Sequence, residues 1–156
     1  MSPDLRSAQI TNRILLAVQA GTQLVLVVSE KVHALESIGM ELVRQSGWPL
    51  FHLGRNISQK MVEQQLPCTP ELIQDSLLSL TRTSSAVVVT EIDLLFEPIF
   101  HLDPLQIFYK ISRYVPLVVF WPGRYQHAIL TYAVPEHAHY REWRTLPSEI
   151  QITPID

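Results

Sequence analysis

Glycine is scarce in this chain. Five occur in 156 residues, at positions 21, 39, 47, 54 and 123, and no two lie closer than seven positions apart. Loops that cradle phosphates need closely spaced glycines, because the backbone must approach the phosphate and take up positive φ. Neither GxGxxG nor GxxxxGKS/T can be written anywhere in the sequence. Cysteine is scarcer still. The single Cys68 excludes an internal disulfide framework and a thiolate zinc site, and it fits a reducing compartment. It lies on a loop between two prolines and reads as an ordinary thiol. Charge is also thin, at 17% of residues, against roughly 25% in an average soluble protein. With 47% hydrophobic residues, disorder is excluded, and a large interior or an apolar surface covered by a partner is expected. The net charge of −3 argues against a strongly basic nucleic-acid surface. No apolar run reaches the ~18 residues of a membrane span, and the first residues lack the apolar core of a signal peptide. These absences lead us to expect one soluble, cytoplasmic domain over residues 1–156, with no membrane contact.

What is present alternates. Residues 5–20 carry Leu5, Ile10, Ile14, Leu15 and Val18 near helical spacing, with Gly21 as a stop. LVLVVS at 24–29 reads as a buried strand, and a helix over about 34–46 follows, closed by Gly47. PLFHL at 49–53 is a second strand, and Ser58 is an N-cap candidate for the next helix. Thr69 caps a helix that opens on Pro70 and runs to about Leu80. AVVVTEI at 86–92 is a third strand. Asp103-Pro104 opens a helix to about Ser112, and PLVVFW at 116–121 is a fourth strand. Pro122-Gly123 predicts a turn, AILTYAV at 128–134 a fifth strand, and the tail 135–156 has weak periodicity. Strands that are continuous apolar runs, alternating with helices, predict an α/β three-layer domain with a mostly parallel sheet, its core over 24–134.

In such a sheet the first strand-to-helix junction is where a phosphate is normally bound. Here it reads Ser29-Glu30-Lys31-Val32-His33-Ala34-Leu35-Glu36. Ala34 stands where the second glycine of a P-loop would be, and Leu35 where its lysine would be. Glu30 adds negative charge where a phosphate would sit, and only Lys31 offers a positive one. The third strand resembles a Walker B strand, whose terminal acid serves Mg²⁺, but Thr90 occupies that position, with Glu91 and Asp93 following. Lys31 and Glu91 are therefore the candidate cofactor-binding residues of a degraded nucleotide site. No GxSxG elbow is present. His137-Ala138-His139 beside Glu136 offers a metal pair without a well-spaced third ligand, and it reads as a surface segment holding Tyr140 and Trp143. Arg113 and Arg124 stand where a neighbouring subunit's site could be met, although Arg113 also suits the end of its own helix. A DNA contact through Arg55, Lys60, Arg82, Arg113, Arg124, Arg141 and Arg144 would require these scattered residues to converge.

The stretch Thr90-Glu91-Ile92-Asp93-Leu94-Leu95-Phe96, then Leu102-Asp103-Pro104-Leu105, Ser112-Arg113, Phe120-Trp121-Pro122-Gly123, Leu130-Thr131-Tyr132-Ala133, Glu136-His137 and Tyr140 resembles BrxF, the family of small P-loop-type proteins of type 3 BREX bacteriophage-defence systems. The resemblance is strongest over residues 86–141, and its most specific part is the WPG stretch followed by LTYA. It implies a P-loop NTPase fold with an AAA+/RecA-like core and no lid domain, in a cytoplasmic accessory protein. The partners it implies are other BREX proteins, among them a large ATPase, a methyltransferase and a phosphatase-like protein, with DNA reached only indirectly. Members are expected to carry a glycine-rich loop where this chain has SEKVHALE, and Asp where it has Thr90. The resulting expectation is a pseudo-NTPase that needs no cofactor, neither ATP nor Mg²⁺. It would act by contact, as a homo-oligomer or in a complex, through Arg113, Trp121, Arg124, Tyr125, Tyr140 and Trp143. The rival expectations are a nucleotide-binding ATPase or GTPase switch with a non-standard phosphate loop, and a DNA-contacting subunit.

Overall fold

The computed structural model describes residues 5–80 and 84–155. In chain order the elements are α1 (Leu5–Gln19), β1 (Leu24–Ser29), α2 (Val32–Ser46), β2 (Leu50–His52), α3 (Leu53–Gln64), α4 (Pro70–Leu78), β3 (Val87–Thr90), α5 (Pro104–Ile111), β4 (Leu117–Gln126), β5 (Ile129–Tyr132), β6 (Arg141–Trp143) and β7 (Ile150–Pro154). Short 3₁₀ turns at Ile92–Phe96 and Pro98–Phe100 join β3 to α5. No helix among the described residues is long and apolar enough to cross a membrane.

The five strands β2-β3-β4-β1-β7 lie side by side in that order, all parallel. Successive side chains of a strand point to opposite faces, and both faces here are apolar. Val25, Val27, Val88, Val118 and Phe120 pack with Ile10 and Ile14 of α1 and Leu35, Ile38 and Leu42 of α2. On the other face Leu24, Leu26, Val87, Val89 and Val119 pack with Ile57 of α3, Ile73 and Leu77 of α4, and Phe108 and Ile111 of α5. Both faces are covered by helices, which is why the strands read as unbroken apolar runs. The α/β three-layer architecture with a mostly parallel sheet is therefore observed.

Three local expectations are corrected. Ser58 does not cap a helix. α3 starts at Leu53, directly after β2, because Leu53 and Ile57 sit one turn apart and both are fully buried. Pro122-Gly123 is not a turn. β4 runs on to Gln126, and the reversal falls at His127-Ala128, both at positive φ (51° and 61°). Gly123 is needed for close approach, since a Cβ there would lie 1.9 Å from the Thr131 carbonyl oxygen of the antiparallel β5. The tail is not outside the sheet either. β6 extends the β4–β5 hairpin, and β7 pairs in parallel with β1, from Leu24↔Ile150 to Val28↔Pro154. Its pattern of Ile150, Gln151, Ile152 and Thr153 is that of a short edge strand, half-buried rather than wholly apolar.

Candidate functional site

Parallel strands place all their carboxyl ends on one edge, where α/β sheets bind ligands. At the end of β1 the chain turns almost at once. Only Glu30 and Lys31 separate Ser29 from the first residue of α2, and the Lys31 N–H donates to Ser29 Oγ at 2.9 Å. Arg124, from the outer half of β4, pairs with Glu30; its Nη2 lies 3.3 Å from Glu30 Oε2. The guanidinium therefore meets an acid of its own chain at this junction. Lys31 is exposed.

At the end of β3, Glu91 sits in the left-handed region at φ 58°, uncommon for a residue with a Cβ. Three groups hold it there. The register His52↔Thr90 brings the ends of β2 and β3 together, and His52 Nδ1 lies 2.7 Å from Glu91 Oε2. Arg55 Nε, in the first turn of α3, lies 3.0 Å from the same oxygen. The Gly54 N–H donates to the Glu91 carbonyl at 2.9 Å, an approach so close that a Cβ on Gly54 would stand 3.1 Å from that oxygen. Two residues on, Asp93 accepts the Tyr132 hydroxyl at 2.6 Å. Burial, and then this bond to a carboxylate, push the Tyr132 phenol well above its ordinary range.

Beside Glu91 a cavity of about 350 Å³ opens between α2 and the ends of β2, β3 and β4. Its walls are mainly apolar, from Val32, Leu35 and Met40 of α2, Leu50 of β2, and Phe120 and Pro122 of β4. Glu36, His52, Arg55, Thr90, Glu91 and Asp93 supply its polar groups. Of the two candidate cofactor residues, the structure brings Glu91 to the cavity and leaves Lys31 out of its lining. Sequence reasoning missed His52 and missed Arg55 in this role. The available signal was the position of His52 at the end of a strand, but nothing local says that β2 lies next to β3.

The contact candidates separate by burial. Trp121 is fully buried and is corrected from surface to core: it packs edge-on against Phe96 and Trp143 at 5.2 and 5.3 Å, and its Nε1–H donates to the Thr131 carbonyl at 2.9 Å. Trp143 and Tyr125 are half-buried against the same cluster. Tyr140 is half-buried and donates to Glu142 at 3.1 Å, while Arg113 is exposed with its guanidinium 5.2 Å from the Tyr109 ring centre. The basic residues proposed for DNA have separate, local partners. Lys60 Nζ donates to Ser76 Oγ at 2.7 Å, Arg141 Nη1 to the Leu102 carbonyl at 2.6 Å, and Arg144 Nη2 to Glu142 at 2.9 Å. Arg82 lies outside the described residues.

His137 and His139 lie in a turn, not on a strand, and the His139 N–H donates to His137 Nδ1 at 2.9 Å. Among the described residues no group of three or more His, Cys, Asp or Glu side chains is arranged to hold a metal ion. Cys68 is buried, and desolvation raises its thiol pKa, which disfavours the thiolate. Comparison with protein-family models, with curated proteins and with solved structures gave no significant match.

Proposed function

We propose that this chain is a non-hydrolysing, P-loop-like accessory subunit of a prokaryotic anti-phage complex of the BREX type, working in the cytoplasm by contact with other proteins such as a large ATPase. The observation that carries this reading is the junction after β1. With two residues between strand and helix there is no loop to wrap a phosphate, and one of the two is Glu30, held against Arg124. A triphosphate needs donors and positive charge at that point. Two further features support the reading. β4 lies between β1 and β3, the arrangement of AAA+/RecA-like sheets. Thr90 and the pinned Glu91 occupy the place of a Mg²⁺-serving acid.

Titration calorimetry of the purified chain with ATP and Mg²⁺ tests the pseudo-enzyme part. No saturable heat is expected; micromolar binding that Lys31→Ala abolishes would favour the nucleotide switch. Light scattering and co-purification with the products of neighbouring genes test the contact part. A strictly monomeric chain that retains no such partner overturns it.

A further inference from the structure

The cavity beside Glu91 has chemistry of its own, independent of any nucleotide. At about 350 Å³ it falls in the range of small-ligand sites, roughly 300–1,000 Å³. Its walls combine an apolar surface with one oriented carboxylate. Val32 and Met40 line it while remaining 56% and 72% exposed, so apolar surface on α2 stays in water unless something covers it. The charges are one-sided. The carboxylates of Glu36, Glu91 and Asp93 outnumber the one guanidinium, that of Arg55, and the one imidazole, that of His52. That field repels phosphates and carboxylates and attracts cations. Glu91 is also fixed in advance. Its backbone is held by the Gly54 N–H, and both side-chain contacts fall on Oε2, at 2.7 Å from His52 and 3.0 Å from Arg55. Oε1 keeps acceptor capacity, and a carboxylate already ordered loses little freedom on accepting a further donor.

We propose that this cavity binds a small organic cation: an amine whose apolar body lies against Leu50, Met40 and Phe120 and whose ammonium group is met by Glu91. The volume suits a molecule the size of a single aromatic ring system with a short alkylamine arm.

The test uses the full chain and three probes of one shape: tryptamine, its neutral alcohol analogue tryptophol, and the anion indole-3-propionate. Binding is followed by calorimetry and by amide chemical shifts. Tryptamine is expected to bind saturably, at least about tenfold more tightly than indole-3-propionate, with tryptophol between them and shifts centred on Gly39, Thr90 and Glu91. Glu91→Gln is expected to weaken tryptamine about tenfold. Because that change also removes the partner of His52 and Arg55, Glu36→Lys serves as the second variant. Its side chain is 64% exposed, so the fold is retained, and the reversed charge at the rim is expected to weaken tryptamine several-fold. The proposal is overturned if tryptamine fails to saturate, if indole-3-propionate binds as tightly, or if Glu36→Lys leaves tryptamine affinity unchanged.

Discussion

Two glycines show how differently one residue type can be used. At Gly123 a Cβ would stand 1.9 Å from the Thr131 carbonyl oxygen and 2.9 Å from its carbon, both backbone atoms that cannot turn aside. Gly123→Ala is therefore expected to destabilise the protein by about 3 kcal/mol or more, as overpacking against backbone does. Gly39 lies inside α2, and the nearest neighbour a Cβ there would meet is the Phe120 ring, at an ordinary 3.7 Å. Gly39→Ala is expected to stabilise by about 0.5–1 kcal/mol, the helix penalty of glycine. Urea unfolding of both variants measures the contrast, and equal effects would contradict it. The junction after β1 has no glycine, whereas the glycine held in place by a close backbone approach is in β4. The dipeptide Pro122-Gly123 looks like a turn because sequence reports conformational permissiveness, not the neighbouring strand that a side chain would strike.

At the scale of elements, local signals carried far where the physics was local. Thr69 and Asp103 each precede a proline and a helix, and both do cap: Thr69 Oγ1 accepts from the Leu72 N–H and Asp103 Oδ1 from the Gln106 N–H, each at 3.2 Å. Thr69→Ala and Asp103→Ala are each expected to cost about 1 kcal/mol, read as a shift in the urea midpoint without a change in slope. A shift near zero would mean the proline start alone sets these helices. α1, α2, β1 and β3 likewise fall where their apolar spacing predicts. β6 and β7 were not legible. Arg141–Trp143 and Ile150–Pro154 are short and only half-buried, so their strand character comes from pairing with β5 and β1 rather than from their own composition.

For the whole molecule, the closure of β5 onto the turn after β3 couples stability to pH. Tyr132, stacked on Phe96 at 3.6 Å, donates to Asp93 across the fold, and its pKa in the folded state is raised. An unfolded tyrosine ionises near about pH 10. The folded protein thus holds this proton more tightly. Its contribution is complete below about pH 10 and is lost as pH rises beyond that point. Tyr132→Phe should cost about 1–2 kcal/mol at neutral pH and flatten the alkaline fall in stability. Unfolding followed from pH 7 to 11 (the range spanning the unfolded pKa) tests both, and an unchanged alkaline slope would exclude Tyr132 as its source.

The sequence by itself determined the alternation of helices and strands, the two apolar faces of the sheet and the lack of any glycine at the β1–α2 junction. These depend on burial periodicity, caps and residue chemistry within a few positions. Only the tertiary structure decided the strand order, and with it the grouping of His52 and Arg55 around the Glu91 carboxylate beside a cavity. Two parallel strands far apart in sequence become neighbours only when the whole sheet assembles, and no local pattern states which strands those will be.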